Sequence, residues 1–305
     1  MLATTISLPV IDLTDFPSEL NKLAAASTTL GCFRVVNHGI PAAILAEMKA
    51  VVRSLFDISA DAKLLNADVI PGSGYMSPSP KNPFYESFGL YDAASSSDVH
   101  AFCSLLEASP FHRETISSYA LKLHALIVEI ASKVAESLGL AGYSFQDWPC
   151  QLRLNKYNFT NETVGFPGVQ IHTDSGFLTV LQEDESVGGL EIMDRTGNFV
   201  AVDPEPGTFL VNLGDIGKVW SNGRLHNVKH RVECKEARPR VSIALFMLAP
   251  KDDRVEPQQE LIDSDHPRLY QTFSFEEYRK LRLNTEARAG EALSLLAFDQ
   301  RTVRG

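Results

Sequence analysis

Between residues 150 and 250 the chain runs through seven short β-rich segments. They are "QLRLNKYNF", "VQIHTDSGFLTVLQ", "GGLEIM", "NFVAV", "GTFLVNLG", "VKHRVEC" and "RVSIALFML", each set off by Gly, Asn or Pro. Strands that short, at such regular spacing and without helices between them, predict a sandwich or jelly roll rather than a βαβ sheet. Helical patterns lie outside this block. "PSELNKLAAASTTLG" predicts a helix ending at Gly31, between strands at "VIDL" (10–13) and "CFRVVNH" (32–38). Residues 112–139 predict a long helix stopped by Gly139, and "SFEEYRKLRL" returns to helix near the end. The expectation is one domain over 1–305: a mostly helical 1–149, a β core at 150–250 and a helical 251–305.

A chain of 305 residues, 44% hydrophobic and 22% charged, can bury a large core without staples. Its net charge of -10 argues against nucleic acid, which needs a concentrated basic surface. No run approaches the roughly 18 apolar residues of a membrane span. "MLATTISLPVIDL" lacks the basic region and apolar core of a secretory signal. Cys32, Cys103, Cys150 and Cys234 form no CxxC pair and read as reduced thiols of a cytoplasmic protein.

The chemistry-bearing residues lie inside the β block. On a strand, residues i and i+2 share a face, so His172 and Asp174 are expected to project together. Two histidines and a carboxylate on one face make the facial triad of non-haem Fe(II) oxygenases. Alone, His-x-Asp is weak, because a strand-end histidine followed by a turn aspartate reads the same. "NGRLHNVKHRVEC" offers His226 or His230 as third donor, and spacing does not choose between them. In "RVSIALFML", Arg240, Ser242, Ala244 and Phe246 share one face and Val241, Ile243 and Leu245 the other. The first set suits a carboxylate clamp, since a guanidinium fork binds bidentately and a serine adds a donor; a surface ion pair is the plainer reading. "RLNKYNF" likewise aligns Arg153, Asn155, Tyr157 and Phe159. The stretch 69–97 fits neither helix nor strand period and reads as a long loop whose aromatics either line a pocket or fasten it to the core.

Together these features identify a resemblance. "LPVIDL" and "CFRVVNHGI", with the ordered pattern "HTD…VKHRV…RVS", resemble the plant 2-oxoglutarate- and Fe(II)-dependent dioxygenases along nearly the whole chain. The resemblance implies an α+β fold with a double-stranded β-helix (jelly-roll) core flanked by helices. It implies His172, Asp174 and His230 as iron ligands, leaving His226 structural. It also implies 2-oxoglutarate as co-substrate, chelating the iron and resting its far carboxylate on Arg240 and Ser242, with Tyr157 and Asn155 nearby. Dioxygen is the oxidant, and ascorbate is a family expectation. Many relatives carry proline after the tyrosine; here Asn158 follows Tyr157.

Within the family, "GSGYMSPSPKNPFYESFGLYDAAS", "HTDSGFLTVLQEDESVGGLE" and "WSNGRLHNVKHRVECKEA" resemble members that convert indole-3-acetic acid to 2-oxindole-3-acetic acid, inactivating auxin. A planar indole needs aromatic walls and an acetate needs a cation. Phe246, Phe177, Tyr85, Phe88 and Phe102 are the candidate walls, and Arg153 the candidate cation. The alternatives are a gibberellin, a flavonoid or another small plant acid, a metal-free sensor on the same scaffold, or an iron oxidase that spares 2-oxoglutarate. The expected partner is thus a small molecule, with neither nucleic acid nor membrane, for a monomer or weak homodimer.

Overall fold

The computed structural model describes residues 5–16, 18–250 and 254–298, so the last part of the expected C-terminal helical region, 299–305, lies outside the described residues. The elements run β1 (Val10–Asp12), α1 (Leu20–Thr29), β2 (Cys32–Val36), α2 (Ala42–Leu55), α3 (Ala60–Leu64), β3 (Tyr85–Leu90), α4 (Ser96–Leu105) and α5 (Pro110–Ser137). Then come β4 (Cys150–Tyr157), β5 (Pro167–His172), β6 (Leu178–Gln182), β7 (Leu190–Met193), β8 (Phe199–Ala201), β9 (Phe209–Leu213) and α6 (Asp215–Trp220). The chain closes with β10 (His230–Glu233), β11 (Arg240–Met247), β12 (Arg254–Val255), β13 (Phe273–Ser274) and α7 (Phe275–Thr285). All seven segments of the β block contribute strands.

Two sheets build the jelly roll. The larger has the order β1-β2-β9-β6-β11-β4-β3 and the smaller β5-β10-β7-β8. The period of two assigns the faces of β11. Val241, Ile243, Leu245 and Met247 join the main apolar cluster, together with Tyr119, Leu123 and Ile127 of the long helix α5. Arg240, Ser242, Ala244 and Phe246 face inward. Ser109 starts α5 by accepting from the His112 N–H at 3.2 Å, with Pro110 at the first position, and Gly139 follows its end at φ +88°. Gly31 ends the turn after α1 at φ +70°, where a Cβ would come 1.9 Å from the His226 carbonyl. Among the described residues no helix is long and apolar enough to cross a membrane.

The stretch 69–97 is not simply a loop. It contains β3, antiparallel to β4, and the start of α4. Its alternation is hidden because Tyr85, Ser87 and Gly89 look inward, while Glu86 on the other face is neutralised by Lys63 at 2.9 Å. Gly89 has a packing reason: a Cβ there would lie 1.8 Å from the Ser73 carbonyl. Gly89→Ala is therefore expected to push the 66–76 segment off β3 and cost about 1–3 kcal/mol, read as a lower thermal unfolding midpoint.

Candidate metal centre and its two chambers

β10 lies between β5 and β7, in a register that sets His230 opposite His172. The two imidazoles stand abreast with centroids 4.2 Å apart. Asp174 is not a strand residue: β5 ends at His172, and a turn anchored by the Thr173 N–H to the Arg288 carbonyl brings the carboxylate back. Its Oδ1 lies 3.7 Å from Nε2 of His172 and 3.6 Å from Nε2 of His230. The other side of each group is already tied. His172 Nδ1 meets the Gln170 carbonyl at 2.9 Å, His230 Nδ1 meets that of Val228 at 3.3 Å, and Asp174 Oδ2 accepts from Thr179 Oγ1 at 2.6 Å. In that arrangement both Nδ1 atoms donate, so two Nε2 lone pairs and one carboxylate oxygen turn toward a common point. The three donors lie within 4.8 Å of one another. Burial first, then the neighbouring His230, pulls His172 down to about 3, so it is an uncharged ligand at neutral pH. This donor set fits Fe(II) with open positions.

Two cavities meet at these donors. The inner one, about 90 Å³, is lined by Asn155, Tyr157, Arg240 and Ser242 from the large sheet and by His230, Leu190 and Val232 from the small one. Arg240 is 2% exposed. Its Nη1 donates to Ser242 Oγ at 3.3 Å, its guanidinium lies 5.0 Å from the centre of the Tyr157 ring, and among the described residues its Nε has no hydrogen-bond partner. A buried guanidinium with a spare donor fits the far carboxylate of a small dicarboxylic acid. Burial pushes the Tyr157 phenol up to about 12, keeping it a donor. Asn155 accepts from Tyr85 Oη at 2.9 Å and holds Ser242 at 3.5 Å.

The outer cavity, about 250 Å³, shares His172, Asp174, Tyr85, Arg153 and Phe246 with the inner one. The remaining aromatic candidates are elsewhere. Phe177 is fully buried among Phe145, Trp148 and Trp220, because the chain after Asp174 turns that side chain into the core. Phe88 sits on the opposite face of β3 from Tyr85 and packs on Phe56, Tyr75 and Phe102, which makes both phenylalanines core residues. His226 lies outside the donor cluster, its backbone N–H bonded to the Ser27 carbonyl at 3.0 Å. The residues that sequence reasoning missed come from the flanks: Pro71, Gly72 and Asn82 on one side, Arg279, Arg282, Leu283 and Arg288 on the other. The available signal was helical spacing in "EEYRKLRL", which sets Arg279, Arg282 and Leu283 on one face.

A buried aspartate braces the donor turn. Asp215, fully buried, accepts from Thr173 Oγ1 at 3.0 Å, Tyr278 Oη at 2.6 Å, Asn227 Nδ2 at 2.7 Å and Arg282. Arg282 also donates to the Thr173 carbonyl at 2.7 Å, between the two ligands of the turn. α6, α7 and the donor turn are thereby one hydrogen-bonded unit.

Comparison with known proteins agrees with this geometry. Residues 148–249 match the 2OG-Fe(II) oxygenase superfamily, and residues 8–102 match the N-terminal region described as non-haem dioxygenase in morphine synthesis. The 2-oxoglutarate-dependent dioxygenase DAO of Oryza sativa subsp. japonica is 60% identical over 298 residues, covering 96% of this chain and 99% of that protein. The chain belongs to the 2OG-Fe(II) oxygenase superfamily. Among solved members, the crystal structure of the rice dioxygenase for auxin oxidation superposes with a TM-score of 0.89 at 60% identity, over 96% of this chain and all of that one. The 2-oxoglutarate complex of the Arabidopsis thaliana dioxygenase for auxin oxidation 1 superposes with 0.82 at 51% identity, over 86% and 100%. Gibberellin 3-beta-dioxygenase 4 of Arabidopsis thaliana is a more distant relative at 30% identity, covering 95% of this chain and 86% of that one. In this oxygenase, Asp215→Asn is expected to leave Arg282 without its counter-charge and cost about 3–5 kcal/mol, with weaker Fe(II) binding by anaerobic calorimetry. Phe177→Ala should cost about 3–5 kcal/mol in unfolding experiments and leave substrate KM nearly unchanged; a large KM effect without destabilisation would return Phe177 to the substrate wall.

Proposed function

We propose that this chain is a 2-oxoglutarate- and Fe(II)-dependent dioxygenase that oxidises indole-3-acetic acid to 2-oxindole-3-acetic acid. The observation that carries the reading is a two-histidine, one-carboxylate donor set beside a buried Arg240 with a spare donor, in a chain so like the rice dioxygenase for auxin oxidation. Bound iron and 2-oxoglutarate supply the oxidising chemistry, in which dioxygen is consumed and 2-oxoglutarate goes to succinate and carbon dioxide. The chain's own work is placement. His172, Asp174 and His230 hold the metal at the junction of the two cavities. Arg240 and Ser242 take the far carboxylate of 2-oxoglutarate, Tyr157 adds a phenolic donor and Asn155 fixes Ser242. In the outer cavity Tyr85 and Phe246 flank the planar ring and Arg153 faces the acetate. A walled cavity of this kind excludes water and aligns the reacting carbon. The proposal extends to ascorbate as an assay component, to one catalytic domain spanning the chain, and to the cytoplasm, which suits four free, buried cysteines.

The test is an Fe(II) assay reconstituted without oxygen and started with air, following succinate and substrate oxidation by mass spectrometry. Gain of one oxygen on indole-3-acetic acid, matched by succinate, is the expected result; coupled oxidation of a gibberellin or a flavonoid instead would overturn the substrate. His172→Ala and Asp174→Ala should abolish turnover with the fold retained by circular dichroism. Arg240→Lys should raise the KM for 2-oxoglutarate about tenfold or more, because a point charge replaces a fork. An unchanged KM would remove Arg240 from that role.

A further inference from the structure

Two arginines of the outer cavity, Arg153 on β4 and Arg279 on α7, converge on one turn. Arg153 donates to the Gly72 carbonyl and, at 2.6 Å, to Ser87 Oγ; Arg279 donates to the Pro71 carbonyl, its Nε at 2.7 Å. Among the described residues neither forms a salt bridge, whereas Arg282, on the same face of α7, is paired with Asp215. The one carboxylate on the cavity wall among those residues is Asp174, which is turned toward the histidines. Two cations are thus brought together against backbone carbonyls in a partly desolvated wall. Asp68, whose carboxylate accepts from the Gly72 and Gly74 N–H groups of the same turn, offsets Arg279 only in part and forms no salt bridge with either arginine.

We infer that Arg153 and Arg279 form the anion-holding end of the outer cavity and take the carboxylate of an aromatic acid, with the Pro71–Gly72 turn fixing both guanidiniums. Desolvation, then the charges of Arg153 and Arg282, holds Arg279 down to about 10, a penalty that a bound carboxylate relieves. Tyr85 and Phe246 line the same cavity, so a planar ring carrying an acidic arm matches both its apolar and its charged parts. The inference rests on the reading of this cavity as the substrate site and adds a selectivity: the acid is preferred over its uncharged amide.

The experiment titrates the wild type, Arg279→Gln and Arg279→Lys, each loaded with Fe(II) and 2-oxoglutarate without oxygen, with indole-3-acetate and indole-3-acetamide by calorimetry; turnover is measured separately in air. The wild type should prefer the acid about tenfold or more, the scale of a charge-assisted hydrogen bond. Arg279→Gln should lose most of that preference by weakening the acid alone, with 2-oxoglutarate affinity unchanged. Arg279→Lys, which keeps the charge and can still reach the Pro71 carbonyl, should fall between and serves if the glutamine variant does not fold. An unchanged acid-to-amide ratio in both variants overturns the inference even if turnover is normal. Acid binding that needs Arg279 but leads to no oxidation supports the carboxylate site and removes the auxin reading. A wild type that binds neither ligand overturns both.

Discussion

Arg240 is a permanent charge held almost out of water with no salt bridge among the described residues, and much of the interior follows from that constraint. Burying an ion costs several kcal/mol unless its surroundings compensate. Here the compensation from the protein is partial: the face of the Tyr157 ring, one hydroxyl from Ser242 that Asn155 holds in place, and the more remote charge of Glu183, which is already paired with Arg34. The remainder is left for an anion. An apolar residue there would pack more cheaply, so the guanidinium reads as a preformed half of a binding interaction. The small volume around it restricts the other half to something as compact as 2-oxoglutarate.

The metal donors show the same economy by a different route. Each ligand group is fixed through its far atom, by a backbone carbonyl for the two imidazoles and a threonine hydroxyl for the carboxylate. The turn that carries Asp174 is in turn held by Arg282 and Asp215, reaching in from α7 and α6. Rigidity at the metal is therefore borrowed from helices outside the jelly roll. Such outer contacts set the orientation of ligands and the basicity they present.

The strands of the β block and the inward face of β11 could be read from the sequence because the period of two survives wherever one strand face is core and the other is site. The donors were legible for the same reason, although Asp174 reaches its place through a turn rather than along the strand. β3 was obscured because both of its faces are buried and one carries a paired glutamate, so polarity no longer marks exposure. Phe88, Phe102 and Phe177 show a second limit. An aromatic near a site in sequence is as useful to the core as to a ligand, and only the strand face or the exit angle of a turn separates the two. Arg279 and Arg282 show a third. Their spacing marked a helix face, but nothing local says that this face closes a cavity whose wall begins at Pro71, 208 residues before Arg279.

The metal donors and the proposed co-substrate clamp lie between residues 155 and 242, while much of the outer wall comes from the segments 71–85 and 279–288 on either side. On the proposed reading, choice of substrate would rest on those flanks together with Arg153 of β4 and Phe246 of β11, which line both cavities. Re-aiming such an enzyme would therefore mean grafting the two flanking segments between relatives together with positions 153 and 246.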